Sequence, residues 1–494
     1  MAEILMSFDR LATVLGGRII SFNPALRGFS SVCIDSRKAG PGALFVALAG
    51  SVQDGHDYVE AAFKAGAAAA LIAESRLGPA LEDTARRSGC LLLTAADTLR
   101  ALQQAAADYL SGFPGLIRVG VTGSSGKTTT KEIAAAMIGA EKEVIVNPGN
   151  YNSETGLPLA VFGVRSRHQV GIFEMGMNRR GEIGELAAVL RPHIALITNI
   201  GSAHIGIIGN REGIAQEKKA VFSAFTGTEL ALIPEDDEYR DFLARDLRGR
   251  SVFYGPGSCR ELGSVRELGL EGTGLDWEGR PLRFGLPGVH NIRNALAAAA
   301  IARAVPVSAA AIRRGLESVR PLFGRGEILR GPVTVVQDCY NANPESAAEA
   351  IRFCDAVSWP GRRIYIIGSM MELGAASPGA HRELGRLLAA SRADMVFLYG
   401  TETAPARDIL EGQTPGPDYS GAGADAETSA CALSLARRKI PFFYTDSMDE
   451  LSRAAADFVR SGDLVLLKGS RGCALERLTG ALRSAVELPV QGGV

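Results

Sequence analysis

Three groups of residues in this sequence could do chemistry together. The first is the run Val119-Gly-Val-Thr-Gly-Ser-Ser-Gly-Lys-Thr-Thr-Thr130. Gly123 and Gly126, with Ser124 and Ser125 between them, let backbone N–H groups curl around phosphate oxygens. Lys127 would reach the outer phosphates, and the hydroxyl of Thr128, followed by Thr129, would ligate Mg²⁺. A helix opening here adds the positive end of its dipole. The second group is Val170-Gly-Ile-Phe-Glu-Met-Gly176, an apolar run ending in one carboxylate. At the carboxyl end of a strand, Glu174 would hold Mg²⁺ directly or through water; the alternatives are a helix cap or a solvated loop charge. The third runs from Ile194-Ala-Leu-Ile197 through Thr198-Asn-Ile-Gly-Ser-Ala-His204. His204 is a candidate ligand for a second metal ion, or else a hydrogen-bonded structural histidine. By residue type alone, Glu217-Lys-Lys219 reads as a solvated helix face.

These residues need elements to position them. A phosphate loop requires a strand before it and a helix after it, and the patterns predict a strand over 117–121 and a helix over 128–138. Similar β-rich runs fall at 44–47, 171–173, 194–197, 333–336, 363–367 and 464–467, with helix-type stretches at 58–64 and 294–304. That alternation argues for βαβ units and largely parallel sheets. Turn-rich breaks at 111–115 and 320–326 divide the chain into 1–112, 113–322 and 323–494. The run 413–428 reads as a low-complexity surface loop.

A length of 494 residues agrees with that division, since domains average about 150 residues. With 46% hydrophobic and 22% charged residues the chain has globular composition. The 53 basic and 54 acidic residues balance, which argues against a nucleic-acid partner. Seven cysteines, at 33, 90, 259, 339, 354, 431 and 473, form no CxxC pair, so neither a zinc site nor a disulfide framework is expected. No apolar run approaches 18 residues and MAEILMSFDR does not read as a signal peptide, so no membrane insertion and a cytoplasmic location are expected.

The phosphate loop departs from the general pattern, because Val121 stands five residues before Gly126 where a glycine is usual. Its compact form resembles a narrower set of ATP-dependent amide ligases. Together with GNYNSETGLP, FEMGMNRRGEI, TNIGSAHIG, LPGVHNIRNALAA, DCYNANPES, GSMMELG and LLKGSRG, it resembles the Mur ligases of peptidoglycan synthesis, in the family's own order along the chain. The N-terminal DSRKAGPGALFVA and Asp54-Gly-His56 resemble the uridine-nucleotide domain of the branch that adds D-alanyl-D-alanine.

The resemblance implies an α/β protein of three domains. A central P-loop-type, mostly parallel sheet domain would be flanked by an N-terminal UDP-binding α/β domain and a C-terminal Rossmann-like α/β domain. It implies ATP and two Mg²⁺ ions, with UDP-MurNAc-tripeptide and D-Ala-D-Ala as substrates of a monomeric enzyme that works through an acyl phosphate. Thr128, Glu174 and His204 match metal ligands, and Lys218 matches a lysine that is carbamylated in related ligases. The glutamate usual two residues on is Ala220 here. Asn291 resembles an adenine contact, Arg325 the hinge arginine that reaches the phosphates, and Asp338 and Tyr340 ribose and base contacts, with Asn341 and Asn343 shaping the same loop. Asn150, Asn152 and Thr155 resemble residues that hold the muramoyl-peptide, with Ser153 where many relatives have a second Asn. Ser36, Arg37 and Asp54 are candidates for the UDP pocket, or else residues of PG- and DG-type turns. Lys468 and Ser470 are candidates near the incoming dipeptide, with weaker claims for Glu372 and His381. Cys339 is expected to be a small buried residue. Three other readings compete: a sister ligase adding a diamino acid to the dipeptide precursor, a folylpolyglutamate-type ligase, and a nucleotide-dependent assembly protein that does not catalyse. YNANP in place of a DNPR-like motif, the N-terminal domain, and the intact set Lys127, Thr128, Glu174 and His204 argue against them in turn.

Overall fold

The computed structural model describes residues 3–21, 23–50, 52–412 and 439–484. The run 413–428 and Cys431 lie outside the described residues. Among the described residues the chain is an α/β protein built on three sheets of five, six and six strands, with two smaller antiparallel sheets.

The central sheet positions the chemistry. Its order is Arg250–Tyr254, Leu230–Pro234, Ile194–Ile197, Ile117–Thr122, Val170–Glu174 and Val144–Val146, every pair parallel. Ile117–Thr122 is in the middle, and Val119 and Val121 are fully buried, as a strand covered on both faces requires. Because all strands run the same way, Thr122, Glu174 and Ile197 end at one edge. The loops that follow them therefore converge there. Helix Lys127–Gly139 leaves that edge directly after Gly126, whose φ of 76° suits a residue without Cβ. Helices Val289–Ala304 and Ala309–Ser318 pack beside it. The first of these begins at Val289, five residues before the expected position, after its cap Gly288 with φ 89°.

In the N-terminal sheet, Leu91–Ala95, Ala69–Ala73, Ala43–Val46 and Ser31–Cys33 run parallel, and Arg18–Ser21 joins the edge antiparallel. In the third, Thr334–Asp338, Leu464–Lys468, Arg363–Gly368, Met395–Tyr399 and Phe442–Thr445 run parallel beside an antiparallel edge strand, Glu327–Leu329. One feature escaped the parallel expectation. Leu262–Glu267, Thr273–Trp277 and Arg280–Phe284 form an antiparallel sheet, whose second hairpin turns through Glu278 and Gly279, both at positive φ. Two successive positive φ values give a turn with the twist that hairpins prefer. Trp277 and Phe284 then bury themselves in the core with Ile133 and Met137 of the phosphate-loop helix.

The N-terminal and central lobes share one core. Helix Thr98–Ser111 contributes Leu102, Tyr109 and Leu110 to a cluster that also holds Phe162, Phe173 and Leu186 of the central lobe. The Tyr109 hydroxyl donates to the Val164 carbonyl oxygen at 2.6 Å, and the Tyr109 and Phe162 rings lie 5.2 Å apart. Among the described residues, no helix is long and apolar enough to cross a membrane.

Candidate active site

The phosphate loop is shaped for a ligand. A Cβ on Gly123 would collide with Thr198 Oγ1, and one on Gly126 with Asn294 Oδ1. Only glycine lets the loop fold this tightly, and the first-turn N–H groups of helix Lys127–Gly139 have no helical carbonyl to bond. Ser124 and Ser125 brace the loop from below: their N–H groups donate to Asn199 O and Asn199 Oδ1, and Ser124 Oγ accepts from Gly201 N–H at 2.8 Å. Lys127 Nζ donates to Gly123 O at 2.7 Å. Burial pushes the Lys127 ammonium below its usual range and Arg325 adds to this, while Glu174 and Glu372 oppose it.

The carboxylate expected beside the loop is there. Thr128 Oγ1 donates to Glu174 Oε2 at 2.6 Å, and Asn152 Nδ2 donates to Glu174 Oε1 at 2.7 Å. Glu174 is held at its strand end by Asn147, which accepts from Glu174 N–H at 2.8 Å and donates to Glu174 O at 3.1 Å. Buried Lys131 in turn donates to Asn147 O at 2.8 Å. A carboxylate and a hydroxyl oxygen are the hard donors that Mg²⁺ takes. Among the described residues, no group of three or more His, Cys, Asp or Glu could hold a metal alone. The donor set therefore fits an ion held jointly with substrate phosphates, the usual arrangement for Mg²⁺.

The central and third lobes enclose a cavity of about 1070 Å³. Ser124, Ser125, Gly126, Lys127, Thr128, Thr129, Asn152, Glu174, His204 and Asn291 line it from the central lobe, and Arg325, Asp338, Tyr340, Asn341 and Lys468 from the other side. The Arg325 guanidinium stacks 4.1 Å from the Tyr340 ring centroid, which makes one cationic, aromatic wall of two residues. Lys468 Nζ is occupied: it donates to Asp338 Oδ2 at 2.8 Å and to Asn341 O at 3.0 Å. Asn343 caps the helix Pro344–Ala356. Asn291 Nδ2 donates to Pro287 O at 2.7 Å.

Other expected residues lie outside this cavity. Ser470 links two loops, accepting from Met371 N–H at 2.9 Å and donating to Ala342 O. Asn150 and Thr155 belong to the loop that carries Asn152, and Ser153 Oγ lies 3.3 Å from Thr155 Oγ1. In the N-terminal lobe, Ser36 opens a short 3₁₀ turn whose cap, Asp35, grips Arg37 at 2.8–3.0 Å. Asp54 accepts from His56 N–H at 3.0 Å, lies 2.5 Å from His56 Nδ1, and is 3.0 Å from Arg76. Arg37 is exposed, while Asp54 is committed to its turn.

The Glu217-Lys-Lys219 run is not a solvated face. Glu217 accepts N–H bonds from Gly181 at 2.7 Å and Ile183 at 3.0 Å, which fixes the loop after Glu174. Lys218 is buried, and burial, with the charge of Lys127 adding to it, pushes its ammonium well below the usual range. Lys219 Nζ donates to Phe242 O and Arg245 O. Residue type suggested solvent because the burying partners come from a distant loop.

Several residues here were not singled out beforehand. Tyr254, whose hydroxyl donates to Ile197 O at 2.8 Å, lines the cavity with Asp237 and His290. His290 Nδ1 is buried without a hydrogen-bond partner. The histidine in Val289-His-Asn291 was the available signal. Burial pushes the thiol of Cys339 up to about 12, so it is no nucleophile. His381 is structural: Nε2 accepts from Met370 N–H at 3.1 Å, and Nδ1 lies 2.9 Å from Ser377 O.

Known proteins resemble this chain in sequence and fold. Residues 121–302 match the family model "Mur ligase middle domain", 324–471 "Mur ligase, glutamate ligase domain", and 29–108 "Mur ligase family, catalytic domain". A UDP-N-acetylmuramoyl-tripeptide–D-alanyl-D-alanine ligase of Treponema pallidum is 43% identical over 97% of this chain and 99% of its own. One from Bacillus subtilis is 32% identical over 93% of each. A MurF crystal structure from Acinetobacter baumannii superposes with a TM-score of 0.82, at 25% identity, covering 98% of this chain and 99% of that one. MurF of Thermotoga maritima in complex with ADP gives 0.74, at 26% identity, over 92% and 98%.

Proposed function

The chain belongs to the Mur ligase family, and from that premise we infer how its site works. It is an ATP-dependent ligase that joins D-alanyl-D-alanine to UDP-N-acetylmuramoyl-tripeptide in peptidoglycan precursor synthesis. The observation that carries the reading of the site is the meeting of Lys127, Thr128, Glu174 and His204 with Arg325 and Tyr340 in one cavity.

The phosphates of ATP rest on the loop amides, with Lys127 leaving Gly123 O to reach them. The Arg325–Tyr340 wall and Asn291 hold the nucleotide from the two lobes. The terminal carboxylate of the tripeptide takes the γ-phosphoryl group as the β–γ bond of ATP breaks, giving an acyl phosphate and ADP; the dipeptide amine then attacks that carbonyl, losing a proton, and phosphate leaves. Little covalent chemistry falls to the protein, whose contributions are charge and position. Two Mg²⁺ ions would be held by Thr128, Glu174, His204 and a carbamylated Lys218, and when bound they neutralise phosphoryl charge. Carbamylation needs a neutral amine, which the depressed Lys218 supports. Asn150, Asn152 and Thr155 hold the muramoyl-peptide; Ser36, Arg37 and Asp54 serve the uridine nucleotide; Lys468 and Ser470, through the loops they tie, serve the dipeptide end. The segments 1–112, 113–322 and 323–494 divide this work, and the enzyme acts as a monomer in the cytoplasm.

Phosphate release with ATP and Mg²⁺ tests the assignment. It is expected only when UDP-MurNAc-tripeptide and D-Ala-D-Ala are both present. Equal turnover with a diamino acid and the dipeptide precursor would overturn it in favour of the sister activity.

A further inference from the structure

The third lobe reaches across the cavity at one place where three kinds of contact coincide. His204 Nδ1 lies 2.7 Å from Glu372 Oε2, off the in-line direction for a hydrogen bond. Gly206 N–H donates to Glu372 O at 3.1 Å. Ile205, between them, packs against both the N-terminal/central core and the third-lobe core. The backbones nearly touch: a Cβ on Gly206 would meet Gly374 N and lie 2.6 Å from Leu373 C. Both partners are bent to make the contact, with φ of 64° at His204 and 66° at Glu372. Side chains with a Cβ avoid that region, and such strain persists only where the surroundings hold it.

We propose that Glu372 is a positioning residue that aims His204 only when the third lobe is seated. The inference rests on the ligase reading given above. A ligand histidine is oriented by what its other ring nitrogen meets, which is a carboxylate, a backbone carbonyl or water. Here that carboxylate comes from a different lobe, so Nε2 is directed into the site only after docking. The Gly206–Gly374 backbone contact sets the docking distance and Glu372 reads it. Glu372 also lies within the field of Lys127, beside the phosphoryl end of the cavity.

The test compares the parent with Glu372→Gln, Glu372→Gly and Gly206→Val, in the full chain. The readouts are Mn²⁺ affinity of the ADP-bound protein by electron paramagnetic resonance, compaction by small-angle scattering, and steady-state kinetics. Glu372→Gln is expected to weaken Mn²⁺ binding and lower kcat by about 10–100-fold, with the KM for ATP nearly unchanged. Glu372→Gly relieves the left-handed strain, so a merely structural role predicts a more stable protein of normal kcat, whereas positioning predicts the loss seen with Gln. Gly206→Val, whose side chain would run into Gly374 N and Leu373 C, is expected to bind ADP but to scatter as a less compact particle than the parent, with the same weakened Mn²⁺ binding; parental compactness and Mn²⁺ affinity would count against the proposal. Parental Mn²⁺ affinity and kcat in both Glu372 variants, or tighter ADP binding in them, would overturn the proposal. A parent that releases no phosphate with its two substrates would instead refute the ligase reading.

Discussion

Lys127 Nζ is 2.7 Å from the carbonyl oxygen of Gly123, four residues earlier in its own loop. The ammonium thus takes a backbone oxygen of the cradle as its partner, and burial and Arg325 together disfavour its charge. An anionic phosphoryl group would be a stronger partner than that neutral carbonyl oxygen, and would draw the ammonium away from it. Lys127→Ala is expected to lower turnover by about a hundred- to thousand-fold, with far-ultraviolet circular dichroism unchanged. A variant with near-normal kcat would remove Lys127 from the mechanism.

Glu174→Gln keeps the shape of the strand end but exchanges a full charge for an amide. One of its two acceptors, for Thr128 Oγ1 or Asn152 Nδ2, becomes a donor. The Mg²⁺ concentration for half-maximal phosphate release is expected to rise about tenfold or more, with a smaller change in the KM of UDP-MurNAc-tripeptide. An unchanged Mg²⁺ dependence would place the ion elsewhere.

Lys218 is buried where a cation is disfavoured, and the neutral amine is the form that adds CO₂. Protein equilibrated with ¹³C-bicarbonate is expected to show one carbamate carbon resonance that Lys218→Arg abolishes. Activity after CO₂ depletion is expected to recover on adding bicarbonate. A spectrum without that resonance, in active enzyme, would rule carbamylation out.

Burial depresses the pKa of His381, opposed by Ser377 and Glu402, and likewise depresses His168, His193 and His290. Each folded-state value lies below the unfolded one, so the unfolded chain binds more protons as acidity rises. The stability they contribute is present above about pH 6.5 and is lost as pH falls through the folded values. Melting temperature is expected to drop between pH 7.5 and 5.5. His381→Gln should lessen that drop, because the amide can accept from Met370 N–H without titrating. An equal drop in the variant would shift the acid sensitivity to the other histidines.

The parts legible in the sequence are those whose physics is local. Gly126, Lys127 and Thr128 are adjacent, and the strand and helix around them announce themselves by pattern, so loop, charge and hydroxyl could be placed in advance. Glu174 and His204 follow the same rule of strand ends. Glu217 misled because the N–H groups it serves, at Gly181 and Ile183, lie more than thirty residues away. The same holds for Asn199, which braces Ser125 across 74 residues, and for Glu372 against His204. The hairpin through Glu278 and Gly279 was missed because two residues of positive φ carry a weak signal when one is a glutamate.

The bond from Tyr109 to Val164 and the tilted rings packed around it mean that a cut at residue 112 passes beside a core, not between two. A fragment of residues 1–112 would leave Leu102, Tyr109 and Leu110 facing water, and the remainder would lose the cover over Phe162. In mechanical terms the molecule is a single anvil of some 320 residues and one hammer. Force applied between its ends is expected to part the hammer first, because the described buried clusters divide between Val319 and Val333.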